Sequence, residues 1–96
     1  MNPFFDDLGE RWVASAMARG VEIARPEMDS QVALELLELA RVAAHTQERR
    51  FAPLACYLAG VAAERLRSGR PDLSAAEVAD YVNEVRQSLE SRPAPE

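Results

Sequence analysis

Residues 40–60 read Ala40-Arg41-Val42-Ala43-Ala44-His45-Thr46-Gln47-Glu48-Arg49-Arg50-Phe51-Ala52-Pro53-Leu54-Ala55-Cys56-Tyr57-Leu58-Ala59-Gly60. The stretch ends one helical pattern, turns at Pro53 and opens another. A link this short makes the two flanking helices neighbours, running antiparallel. It also holds the only His, the only Cys and an Arg pair, so it decides the fold and concentrates the candidate chemistry.

Upstream of the corner, a helix is expected from Asp29 or Ser30, either of which can cap, to about Arg49 or Arg50. On a helical wheel Val32, Ala33, Leu36, Leu37, Leu39, Ala40, Ala43 and Ala44 fill an arc of roughly 160°, wide enough to pack against more than one neighbour. Gln31, Glu35, Glu38, Arg41, His45, Glu48 and Arg49 make the opposite stripe, with Leu34 and Val42 flanking it. Downstream, a helix starting at Pro53 carries Leu54, Leu58, Val61, Ala62 and Leu66 on its main apolar face. Cys56, Gly60 and Ala63 form a second strip of small side chains, where another backbone can approach closely. Ser68-Gly69 ends this helix and Pro71 blocks its continuation.

Two more helices complete the chain. Asn2-Pro3 is a capped helix start, Asp6 and Asp7 suit the positive end of the helix dipole, and Gly20 is placed to stop the helix in a left-handed conformation. Phe5, Leu8, Trp12 and Ala16 recur at helical spacing, which makes Trp12 a core anchor. Residues 20–29 read as a connector whose Val21, Ile23 and Met28 cover the end of the core. Near the other terminus Ser74-Ala75-Ala76-Glu77 fits a capping box. Val78, Val82, Val85 and Leu89 follow as a narrow seam, with Glu77, Asp80 and Glu84 beside it. The expectation is an all-α, compact four-helix bundle-like domain over residues 1–91, with a disordered tail at 92–96.

Composition bounds the function. A chain of 96 residues is one modest domain, and its richness in Ala and Leu favours helices. A net charge of −5 argues against binding nucleic acid or an anionic membrane, both of which need surplus cations. All eleven basic residues are Arg, which suits bidentate contacts with carboxylates and also follows from a GC-rich genome. The lone Cys excludes an internal disulfide and suits a reducing, cytoplasmic setting. There is no signal-peptide pattern at the first residues and no apolar run of ~20 residues to span a bilayer.

The candidate chemistry is sparse. Arg41, His45 and Arg49 at i, i+4 and i+8 would share a face able to clamp an anion such as a nucleotide or pterin phosphate. An ordinary solvated face, balanced by Glu38 and Glu48, explains the same spacing. His45 and Glu48 offer two metal ligands but no set, and Cys56 lacks a demonstrated base, so no catalytic residue, metal or cofactor is expected. Arg41, His45, Glu48, Arg49, Arg50 and Pro53 therefore read as a recognition corner. The Cys56, Gly60, Ala63 strip reads as a helix-packing or self-association surface, compatible with a homo-oligomer.

The run Leu36-Leu37-Glu38-Leu39-Ala40-Arg41, then Ala44-His45, Glu48-Arg49, Ala52-Pro53-Leu54 and Leu58-Ala59-Gly60 resembles a small all-α bacterial domain of unknown function. That domain occurs alone or fused to a molybdenum cofactor guanylyltransferase. Trp12 and Gly20-Val21-Glu22-Ile23 fit the resemblance, which covers roughly residues 8–66. Arg50 departs from a common Pro in the pattern, and Ala55-Cys56 depart from hydroxyl residues. The resemblance implies a non-catalytic accessory or protein-interaction domain near maturation of the molybdopterin guanine dinucleotide cofactor. Its partner would then be the guanylyltransferase or a molybdoenzyme maturation protein.

Overall fold

The computed structural model describes residues 2–91, and within them the chain is all-α with no strand. Four helices follow in order: α1 (Pro3–Ala18), α2 (Ser30–Thr46), α3 (Phe51–Gly69) and α4 (Ala75–Ser91). The tail expected at 92–96 lies outside the described residues. No helix among the described residues is long and apolar enough to cross a membrane. The chain divides at Ser30/Gln31 into two compact units.

The first unit is α1 with its connector. Asn2 caps the helix, its Oδ1 accepting the Phe4 N–H at 2.8 Å, and Pro3 follows at the first turn. Gly20, at φ +83°, ends the helical segment as the sequence suggested. The connector then folds back onto α1 at Gly9. A Cβ built there would lie 2.7 Å from the Pro26 carbonyl oxygen and 2.9 Å from Arg25 Cγ, so the contact requires glycine. Arg25 ties the same segment to Glu10 at 3.3 Å and to Glu27 at 2.8 Å. Two expectations change here. Trp12 is 58% exposed rather than a core anchor, and Val21 and Ile23 are exposed rather than covering a core.

The second unit runs up, down and up through α2, α3 and α4. Cross-helix contacts fix the directions. Leu36 of α2 meets Cys56 of α3, while Val32 packs with Ala63 and Leu66, so these helices are antiparallel. Glu35 meets Asn83 and Arg41 approaches Glu90, so α2 and α4 run parallel. The C-terminal ends of α2 and α4 therefore share one end of the unit with the start of α3. Ala63, Leu73 and Val78 form a core cluster toward the other end, with Val32 and Leu66 packed against it.

The capping box at the start of α4 forms as expected. Ser74 Oγ accepts the Glu77 N–H at 3.2 Å, and Glu77 Oε1 accepts the Ser74 N–H at 3.3 Å. The Ser74 N–H, and the Ser74 hydroxyl donating to Glu77 Oε1 at 3.1 Å, hold the Glu77 carboxyl below the usual carboxylate range, and Arg70 at 3.1 Å adds its charge.

The core faces are rotated from the expectation. Val42, placed by the wheel beside the polar stripe, is the most deeply buried core residue at 2% exposure. Leu37, Leu54 and Leu58, all assigned to apolar core faces, are exposed. The buried apolar set is small: Leu39, Val42, Ala43, Ala63, Leu73, Val78, Ala79 and Val82, with no aromatic ring among them.

Candidate interaction surface

The recognition corner is shorter on the α2 side than the sequence suggested. Helix α2 stops at Thr46, whose hydroxyl donates to the Val42 carbonyl at 2.7 Å. A turn through Glu48 and Arg49 follows, and α3 begins at Phe51, whose N–H donates to the Glu48 carbonyl at 3.0 Å. Pro53 is thus the third residue of α3, still within the first turn, where its missing N–H costs no helical bond.

The early stop removes the expected single face of Arg41, His45 and Arg49, because Arg49 lies beyond the helix. Their partners differ as well. Arg41 Nε donates to Glu38 at 2.9 Å, and Arg41 Nη2 lies 4.0 Å from Glu90. That hydrogen bond, with the Arg41 charge, holds the Glu38 carboxyl below its ordinary range. Arg50 Nε donates to Glu48 at 2.9 Å across the turn. His45, Glu48, Arg49, Arg50 and Pro53 are all exposed. Among the described residues, neither His45 nor Arg49 has a side-chain hydrogen bond or ion pair.

The strip of small residues on α3 also separates. Ala63 is buried in the core cluster. Cys56 is half-buried, and its thiol donates to the Leu36 carbonyl at 3.6 Å, not to His45. Burial pushes the thiol pKa up, which lowers the thiolate fraction and with it the nucleophilicity. Gly60 is exposed, and a Cβ built on it meets nothing within 4 Å. These three residues do not form one continuous outer face. Among the described residues no group of three or more His, Cys, Asp or Glu is placed to hold a metal ion.

The prominent concave feature lies elsewhere. A groove of about 300 Å³ opens between α3 and α4, floored by Leu39 of α2. Ala55, Leu58, Ala59 and Ala62 line one wall, and Tyr81, Val82, Val85 and Leu89 line the other. Small alanines on α3 face branched residues on α4, so the walls do not fill the space between them. Leu58 is 66% exposed on one rim; Val85 at 46% and Leu89 at 42% stand on the other. The lining carries no charged group, and Tyr81 supplies its one polar side chain. Such a surface accepts apolar side chains.

The other seam of α4 is polar, with Arg86 Nε buried in it without a hydrogen-bond partner. Glu35 of α2 accepts from Asn83 Nδ2 with both oxygens at 3.1 Å and lies 3.8 Å from Arg86 Nε. Arg86 also donates to Glu90, and Gln87 donates to Asn83 Oδ1 at 2.6 Å. The sequence shows Glu35 and Asn83 as polar residues on two helices, but no local spacing pairs residues 48 apart. The groove left a fainter signal: the seam of Val78, Val82, Val85 and Leu89 and the Leu54, Leu58 face were both legible as apolar. Which neighbour each would meet, and that alanines leave space between them, was not legible.

No curated protein and no solved structure matches the chain. A domain of unknown function does match, over residues 6–96 and hence all four helices apart from the start of α1, so the chain belongs to the DUF6457 family.

Proposed function

We propose that this chain is a non-catalytic helical interaction module that docks partners on the apolar groove between α3 and α4. The observation that supports it is the line of exposed apolar side chains along that groove, Leu58, Val85 and Leu89, beside a core of few and small residues. Contiguous exposed apolar surface of this kind marks interaction sites. The pairing of Arg41 with Glu38, and the end of α2 before Arg49, weigh against the rival reading, an anion clamp of Arg41, His45 and Arg49 on one face.

The resemblance to a bacterial domain fused to molybdenum cofactor guanylyltransferases extends the proposal to a partner. The module serves cofactor maturation, with the guanylyltransferase or a molybdoenzyme maturation protein as its target. Affinity capture from native cells tests both parts, comparing the wild-type chain with Val85→Asp after circular dichroism confirms that the variant is folded. Recovery of a molybdenum-related protein by the wild type alone is the expected result. Equal recovery by both would remove the groove from the account, and capture without any such protein would remove the cofactor link.

A further inference from the structure

We propose that the occupant of the α3–α4 groove is a second copy of this chain, docked about a two-fold axis running along the groove. The proposal rests on the groove being a docking surface and names what covers it in the isolated chain, before a maturation protein displaces it.

The rims of the groove are complementary to each other. Among the described residues every arginine except Arg49 and Arg65 has a hydrogen bond or an ion pair. Arg65 stands on the α3 rim, in a shallow depression with Leu58, Val61 and Tyr81. On the α4 side Asp80 and Glu84 flank the same Tyr81, together with Glu77 and Arg70, whose guanidinium is paired with Glu77. Asp80 and Glu84 are exposed and make no hydrogen bond or ion pair among the described residues. One rim thus carries an unmatched cation and the other two unmatched carboxylates, all at the level of Tyr81.

A two-fold axis along the groove exchanges the rims and keeps their level. It lays α3 of each copy antiparallel on α4 of the other. Arg65 then faces Asp80 and Glu84 across the interface, twice, as an isologous contact requires. The same operation sets the Leu58 wall of each groove against the Val85 wall of the other. A face two helices wide and ~25 Å long covers on the order of 500 Å² in plan and more in accessible area, close to the roughly 800 Å² per partner of a standard interface. A unit this small also gains from oligomerisation, having so few buried large side chains.

Sedimentation equilibrium from low-micromolar to near-millimolar chain tests the proposal. The wild type is expected to pass from monomer to dimer. Leu58→Asp, at an exposed position that should fold normally by circular dichroism, weakens the dimer at least about thirtyfold. Arg65→Glu and the double variant Asp80→Arg/Glu84→Arg each weaken it about tenfold. Mixing these two charge variants restores a mixed dimer, because both crossing contacts become attractive again. A wild type that stays monomeric at every concentration overturns the second-copy proposal; the docking surface itself is then judged by the native capture. A dimer indifferent to Leu58→Asp, or charge variants that do not pair on mixing, overturns it as well.

Discussion

Helix α4 packs on two neighbours and finishes only one of the contacts. Toward α2 it offers Asn83 and Arg86 to Glu35, which fills the seam with hydrogen bonds and charge. Toward α3 it offers Val85 and Leu89 across from alanines, which leaves a groove. The same helix is thus bound on one side by specific polar partners and left unsatisfied on the other by a volume mismatch. The polar seam fixes register within the chain through the two Asn83–Glu35 hydrogen bonds, although Arg86 Nε is buried there without one. An open apolar seam is what remains for another molecule.

The comparison can be broken at residues that serve one seam, both or neither. Leu39, buried under both, should matter most: Leu39→Ala is expected to cost about 2–4 kcal/mol in urea unfolding, through lost burial and a deeper cavity. Glu35→Ala comes next. It strands the Asn83 amide and the Arg86 guanidinium, and chemical denaturation should show a loss of about 1–2 kcal/mol. A value near zero would mean that the α2–α4 seam is held by its apolar residues alone.

Much of this architecture was legible in the sequence for local reasons. The Asn2-Pro3 start, the Gly20 stop and the Ser74, Glu77 capping box are signals written within four residues, and each forms as expected. Rotation of the helices was less legible, because it depends on which neighbour arrives. Val42 lies beside the polar stripe by wheel position, yet packing leaves it only 2% exposed. The corner failed for a related reason: helical periodicity continues through Glu48 and Arg49, but the backbone bonds of α3 begin there instead. Gly9 was missed although it sits inside a strong helical pattern, where an interior glycine signals a close approach.

Smaller effects sharpen the contrast. Gly60 points into open space, so Gly60→Ala should raise stability by about 0.5–1 kcal/mol through helix propensity, measurable as a higher Tm. Gly9→Ala should do the opposite, because the Pro26 carbonyl occupies the place of the new methyl. The acid limb isolates the start of α4. The folded chain holds the Glu77 carboxyl below its unfolded value, so its contribution is full above the unfolded pKa of roughly 4.3 and fades as pH falls through the lower folded value. Glu77→Gln should therefore flatten the stability profile in that acidic window and leave its slope near neutrality unchanged.

The unfinished seam is tested most directly by following backbone amide resonances as the chain is diluted from near-millimolar to low-micromolar concentration. The account predicts progressive shifts at Ala55, Leu58, Ala62, Val85 and Leu89, with Glu35, Asn83 and Arg86 unmoved. Shifts confined to the α2–α4 seam, or none along the groove, would contradict it.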